Sequence, residues 1–338
     1  MINFAIIGCG HIAKKHAEQI AATEEANLIA VCDKIPEAMV PFTEQYHVEA
    51  YQDYDEMLKD DRIDVICICT PSGLHAPLAV KAAQAKKHVI VEKPIALTLE
   101  DADLIIKACK ENGVKLSVVH PNRFRPAIMK LKQAMDEGRF GKLSHANATV
   151  RWNRNQAYYD QAPWRGTKAL DGGVLMNQAI HNLDLLLWIV GDIEEVYSMQ
   201  ATRLRNIEAE DVSVGVVRFK SGALGVIEAA TTIYPKNFEE SLSVFGESGT
   251  VKISGRTANN IEHWDIESMS VEETQAIIKE IENDPLGQPG HKWIIQDMVN
   301  AIKEDREPIV SGVDGKNALA LVLALYESAE RNQPVKLG

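Results

Sequence analysis

Phe4-Ala5-Ile6-Ile7-Gly8-Cys9-Gly10-His11-Ile12-Ala13 is the stretch on which the fold turns. A short apolar run suited to a buried strand feeds directly into Gly-x-Gly-x-x-Ala, and an amphipathic run follows, so the stretch reads as strand, tight turn and helix. In that context Gly8 permits the turn and Gly10 lets backbone approach a pyrophosphate. The small Ala13 allows the helix to pack close on the strand. His11 and Ile12 fill the variable positions at the helix N-terminus, whose N–H groups and positive dipole end suit an anion. Asp33 closes the second strand-like run, 20 residues after Ala13. A carboxylate there bonds both ribose hydroxyls of NAD and repels the 2′-phosphate of NADP. NAD is the expected cofactor; Lys34, a cation beside Asp33, keeps NADP as the alternative.

Working outward, short apolar runs at Phe4–Ile7, Leu28–Cys32, Val65–Cys69, His88–Val91 and Leu116–Val119 alternate with amphipathic stretches. That rhythm predicts a parallel sheet with crossover helices. Thr98 before one such helix and Gly113 after it are its expected cap and stop. Beyond Pro121 the pattern changes. A helix near Ala127–Met135 and a long helix opening after Gly172-Gly173 precede strand-like runs at Val196–Leu204, Val212–Phe219, Ala223–Ala230, Leu242–Phe245 and Val251–Ile253. Ser221-Gly222 and Ser248-Gly249 read as hairpin turns, predicting an α+β domain with one open, mostly antiparallel sheet. The charged stretch 256–285 reads as irregular, and Trp293–Ile302 and Ala318–Ser328 as closing helices.

The whole chain has 338 residues, 46% hydrophobic and 25% charged, which is the composition of a globular protein with room for two domains. Its formal net charge of −12 disfavours nucleic acid and anionic lipid as partners. No apolar run approaches the ~20 residues of a membrane helix. The first residues read as a strand and not as a targeting peptide, so the expected location is the cytoplasm. The five cysteines lack Cys-x-x-Cys spacing and read as reduced core residues. No metal-ligand spacing is evident, and no metal is expected.

Two segments carry chemistry. The run His88–Val91 leads into Glu92-Lys93-Pro94, which places Lys93 at the carboxyl edge of the parallel sheet, where such sheets bind ligands. A partly desolvated lysine there can bond a hydroxyl and exchange a proton with it. In Gly172-Gly173-Val-Leu-Met-Asn177-Gln-Ala-Ile-His181-Asn-Leu-Asp184, helical spacing puts Asn177, His181 and Asp184 on one polar face, with Asp184 expected to orient the imidazole. The two glycines are expected to let this helix approach a flat ligand.

The combination Gly8-x-Gly10-x-x-Ala13, Thr70-Pro71-x-x-x-His75, Glu92-Lys93-Pro94, Asn122-Arg123-Phe124, Trp164-Arg165 and Gly172-Gly173…His181-x-x-Asp184 resembles the glucose–fructose oxidoreductase / inositol dehydrogenase (Gfo/Idh/MocA) family. The resemblance implies an NAD-binding Rossmann domain over residues 1–120 and a domain for substrate binding and oligomerisation over 121–338. It implies hydride transfer between a sugar secondary alcohol and nicotinamide, and a homo-oligomer, dimer or tetramer. It assigns proton handling to Lys93 and His181, and a place near the cofactor to Thr70, Pro71, His75, Glu92, Asn122, Trp164 and Arg165. Many members carry aspartate where this chain has Asn177, which leaves the base as either His181 or Lys93.

Between residues 121 and 170 ten basic side chains face three acidic ones, a cationic island in an acidic chain. It favours an anionic substrate, and arginine forks suit carboxylate or phosphate. Arg123, Tyr158 and Arg165 are the expected substrate contacts, with Lys93, Asn177 and His181. The run from Tyr158 to Thr167 and Leu175-Met176-Asn177-Gln178 resemble the branch that oxidises the 3-hydroxyl of UDP-N-acetylglucosaminuronate. Alternatives are a keto-sugar reductase, an inositol-type dehydrogenase, an NAD-dependent glycosidase and a non-catalytic dinucleotide sensor.

Overall fold

The computed structural model describes residues 1–338, which divide into two compact units, Met1–Pro121 with Pro289–Lys316, and Asn122–Gln288 with Asn317–Gly338. In the first, strands Ile2–Ile7 (β1), Ala26–Cys32 (β2), Glu49–Tyr51 (β3), Val65–Ile68 (β4), His88–Val91 (β5) and Leu116–Val118 (β6) form one parallel sheet in the order β3-β2-β1-β4-β5-β6. Helices His11–Ala21 (α1), Pro36–Tyr46 (α2), Tyr54–Leu58 (α3), His75–Gln84 (α4) and Leu99–Asn112 (α5) make the connections. Phe4–Ile6, Val65–Ile68 and Val89–Val91 are wholly inaccessible, as strands covered on both faces must be. The order reverses between β1 and β4, the crevice where open α/β sheets take their ligands. Thr98 caps α5 by accepting the Asp101 N–H at 3.1 Å, and Gly113 ends it in the left-handed region, as expected.

In the second unit Pro126–Asp136 (α6), Leu143–Arg151 (β7) and Gln156–Tyr159 (α7) precede a π turn at Leu175–Ala179 that runs into Ile180–Val190 (α8). Then come Ile193–Ala201 (β8), Val212–Phe219 (β9), Leu224–Ala230 (β10), Glu239–Gly246 (β11), Gly249–Ser254 (β12), Asn260–Ile266 (β13), Val271–Asn283 (α9) and, after the first unit's segment, Val335–Lys336 (β14). The sheet order is β13-β12-β11-β7-β10-β9-β8-β14, antiparallel except where β7 pairs with β10. The fold class is therefore the expected one. The stretch 256–285 is not irregular, since it holds β13 and α9, the latter opened by a capping box between Ser270 and Glu273. The first unit also takes back Pro289–Lys316, with Gly290–Lys303 (α10) packed on α1, so a single cut at residue 120 does not describe the chain. A Cβ at Gly290 would lie 2.3 Å from the Pro121 carbonyl oxygen, which shows how closely this segment seats. The helix Gly312–Arg331 (α11) ends the helical part of the chain.

All five cysteines are buried and unbridged, as core thiols, and no helix is long and apolar enough to cross a membrane. On the outer side of the second sheet Val214, Val216, Leu224 and Val226 stand exposed on the adjacent strands β9 and β10.

Candidate active site

The turn after β1 is built around Gly8, whose φ is +90° and whose Cβ, were there one, would lie 2.9 Å from the Cys69 carbonyl carbon. Gly10, the N-cap of α1, has no side-chain capping bond, and a Cβ there would meet nothing within 4 Å. The first turn of α1 therefore has no side-chain cap, and His11 and Ile12, which open it, are exposed and half-buried. Asp33 is fixed at the end of β2: Cys9 N–H donates to its Oδ2 at 2.7 Å and Ile35 N–H to its Oδ1 at 2.9 Å. Thr70, just past β4, has a buried hydroxyl with no protein partner. An uncapped helix end, a held carboxylate and an orphaned hydroxyl fit NAD, whose pyrophosphate α1 would hold, whose ribose Asp33 would bind, and to which Thr70 would offer a hydrogen bond.

Lys93 is half-buried past β5. Its neighbour Glu92 is buried, and the carboxylate accepts from His16 of α1 at 2.8 Å and from the Lys93 N–H at 3.3 Å. Burial raises the Glu92 pKa, but the hydrogen bond from His16 and the neighbouring imidazole of His291 bring it well below the ordinary carboxyl value. His75 is buried, with Nδ1 2.8 Å from the Pro94 carbonyl oxygen and Nε2 3.0 Å from that of Thr70. Burial lowers its pKa, and a neutral ring donates to only one of the two. His75 thus has both ring nitrogens turned to the backbone past the ends of β4 and β5, and can donate to one carbonyl at a time. Pro71 opens the turn Ser72–Leu74 between β4 and α4.

The π turn changes the reading of the second segment. Asn177 lies inside it whereas His181 and Asp184 lie on α8, so the three do not share the regular α-helical spacing expected. Asn177 Nδ2 donates to buried Asp171, whose other oxygen accepts the Gly166 N–H at 2.7 Å, and Gln178 donates to Asn177 Oδ1 at 3.1 Å. His181 is half-buried. Asp184 is buried and takes the fork of equally buried Arg123, Nε at 2.8 Å and Nη2 at 2.5 Å. Arg123 also lies 5.2 Å over the Trp188 ring, so this arginine, expected to meet substrate, has its fork on a carboxylate of its own unit. Gly172-Gly173 serves the protein interior as well: a Cβ at Gly173 would fall 1.9 Å from Glu210 Oε2. Glu210 accepts the Leu175 N–H at 2.8 Å and the Tyr326 hydroxyl at 3.1 Å, and so caps the start of the turn that carries Asn177. Burial pushes the Glu210 carboxyl up to about 7. Asn122 is buried and donates to Glu240 at 2.9 Å, another carboxyl that burial raises to about 7.

Half of the cationic island, Arg123 included, is neutralised within the fold. Lys130 pairs with Glu280, Lys132 with Asp136, Arg139 with Glu137, and Arg151 with Glu228 and Glu239. Arg154 and Arg165 differ: neither has an acidic partner, and their guanidinium carbons lie 5.2 Å and 4.4 Å from the centre of the Tyr158 ring. Arg165 donates to the Tyr158 hydroxyl at 2.7 Å, lies 4.7 Å over Trp164, and keeps a buried Nε without a partner. Sequence reasoning placed Tyr158, Trp164 and Arg165 among site residues but missed Arg154, Asp171 and Glu210. For Asp171 the signal was its position before Gly172-Gly173; for Arg154, its spacing of four from Tyr158.

The model of the oxidoreductase family GFO/IDH/MocA, NAD-binding Rossmann fold, matches residues 2–120, and that of the GFO/IDH/MocA C-terminal domain matches 128–252. A myo-inositol 2-dehydrogenase of Thermotoga maritima is 30% identical over 99% of this chain and 98% of its own length. Among solved structures, the WlbA dehydrogenase of Bordetella pertussis in complex with NADH and UDP-GlcNAcA is 38% identical, with TM-score 0.96 and coverage of 100% of this chain and 98% of the other. The WlbA dehydrogenase from Chromobacterium violaceum, with the same two ligands, is 36% identical with TM-score 0.93, covering 100% and 96%. The chain belongs to the GFO/IDH/MocA oxidoreductase family and is an NAD(P)-dependent oxidoreductase of the sugar-dehydrogenase type, acting on a CH–OH group with NAD as cofactor.

Proposed function

We propose that this enzyme oxidises a secondary alcohol of an anionic nucleotide-sugar, with the 3-hydroxyl of UDP-N-acetylglucosaminuronate as the best-fitting substrate. The observation that carries this reading is the pair Arg154 and Arg165 on Tyr158, two guanidinium groups with no carboxylate of their own. Half-buried arginines without a counter-ion suit a diphosphate or uronate carboxylate. The ligands named for the two WlbA structures support the choice. NAD accepts the hydride. The hydroxyl proton goes to His181 or Lys93, because Asn177 has no basic atom and Asp184 is occupied in neutralising Arg123. The test is a panel of UDP-sugars and free sugars with NAD and NADP, followed by absorbance of the reduced cofactor. NADH formation with UDP-N-acetylglucosaminuronate in preference to UDP-N-acetylglucosamine and to free inositols is expected; turnover of uncharged polyols alone would overturn the anionic-substrate reading.

The same reading makes the enzyme a homo-oligomer. Val214, Val216, Leu224 and Val226 form an exposed apolar patch on neighbouring strands, the kind of surface that marks a protein contact. Val216→Glu is expected to lower the mass measured by light scattering; an unchanged mass would assign the assembly to another surface.

A further inference from the structure

His16 on α1 and His291 on α10 are buried, and neither belongs to the chemistry described above. Both face one carboxylate, with His16 Nε2 2.8 Å and His291 Nε2 3.6 Å from Glu92 Oε1. Their rings meet edge to face at 5.3 Å between centroids. Two imidazoles and a carboxylate whose ligand atoms all lie within 4.8 Å have the composition of a transition-metal site. The spacing argues otherwise: 2.8 Å is a hydrogen-bond length, whereas tetrahedral ligands about 2.0–2.1 Å from zinc stand roughly 3.3 Å apart.

We propose that His16 and His291 are positioning residues, which clamp the Glu92 carboxylate and thereby fix the Lys93 backbone at the cofactor edge. Glu92 is joined to Lys93 twice, by the peptide bond and by the Lys93 N–H donating to its Oε2 at 3.3 Å. Downstream, the Pro94 carbonyl is held by His75. The lysine is therefore bracketed by two fixed points, one on each side. His16 Nδ1 and His291 Nδ1 are buried without a hydrogen-bond partner, and His291 Nε2, 3.6 Å from the carboxylate, faces it at more than hydrogen-bond length. Unpaired buried polar atoms cost stability, so two histidines here are poorly explained as packing. The inference rests on the reading of Lys93 as a proton-handling residue.

His291→Leu and His16→Leu are each expected to lower kcat about 10- to 100-fold, the cost of a misplaced reacting group, while the Kd for NAD stays within about twofold. Tm is expected to hold or rise, which separates this role from a merely structural one. His16→Gln, whose amide can still donate to Glu92, is expected to recover most of the lost kcat. Wild-type kcat in both leucine variants, or loss of Tm and kcat together without rescue by glutamine, would overturn the clamp. If leucine at position 16 prevents folding, Glu92→Gln tests the same link and is expected to show the same kcat loss. Stoichiometric zinc in the purified enzyme by elemental analysis would also overturn it, in favour of a metal site. Lys93→Met, measured alongside, distinguishes the two readings. Turnover in that variant refutes the role of Lys93 itself, whereas an inactive Lys93→Met beside unaffected histidine variants refutes the clamp alone.

Discussion

Glu92 in the first unit and Glu210 in the second are both buried carboxyl groups beside candidate catalytic segments, yet they are held in opposite ways. Burial opposes the charge of each. Glu92 is compensated by two imidazoles and falls well below the ordinary value, while Glu210 receives only a backbone N–H and a tyrosine hydroxyl and rises to about 7. Glu240, bonded to the Asn122 amide, follows Glu210. The difference teaches that depth does not set the charge of a buried acid; the partners do. The first unit keeps a fixed anion next to its lysine, whereas the second keeps two raised carboxyl groups, Glu210 at the start of the turn that carries Asn177 and Glu240 beside Asn122.

The largest effects are expected from removing the proposed proton-handling group of each unit. Lys93→Met and His181→Ala are each expected to lower kcat by about 10²–10⁴-fold with NAD binding retained, measured by steady-state kinetics and cofactor fluorescence. The variant with the steeper change in its pH–rate profile identifies the base. Next, Arg165→Met is expected to raise KM for a nucleotide-sugar about 10- to 100-fold, from loss of about 1.5–3 kcal/mol of charge-assisted hydrogen bonding, with the Kd for NAD unchanged. An equal loss of NAD affinity would move Arg165 to the cofactor.

Smaller effects test the carboxyl comparison directly. Gly173→Ala places a methyl group against Glu210 and is expected to destabilise the second unit by about 1–3 kcal/mol, read from denaturant unfolding. For Glu210 and Glu240 the folded-state pKa is raised, so their contribution is fully present below the ordinary value of 4.5 and is lost as pH rises towards about 7. For Glu92 the folded-state pKa is depressed, so its contribution is present above the ordinary value and is lost as pH falls through the depressed one. Calorimetry of Glu210→Gln and Glu240→Gln should therefore show a flatter decline of stability between pH 4.5 and 7 than the wild type. Identical pH profiles would break the contrast between the two units.

The first unit was legible because its signals are local: glycines that a turn requires, apolar runs of strand length and a capped helix. In the second, β7 escaped notice because its buried positions Ala146, Ala148 and Val150 are mostly small, so the alternation lacks bulk. The Ser270–Glu273 capping box of α9 was present in the sequence but hidden in a charged run. Asn177, His181 and Asp184 were found as residues, yet their relation was not, because a π turn inserts a register change that i, i+4, i+7 counting cannot see. Nor does composition reveal which basic residues meet acids of their own, as Arg123 does in Asp184 and Arg154 does not.

The return of Pro289–Lys316 to the first unit bears on how such enzymes can be recombined. A chimaera cut once after Pro121 would carry α1 without α10 and His16 without His291. Grafting this nucleotide-binding half onto a foreign catalytic half needs three junctions, near residues 121, 288 and 316, so exchange of parts by a single crossover is closed to this architecture.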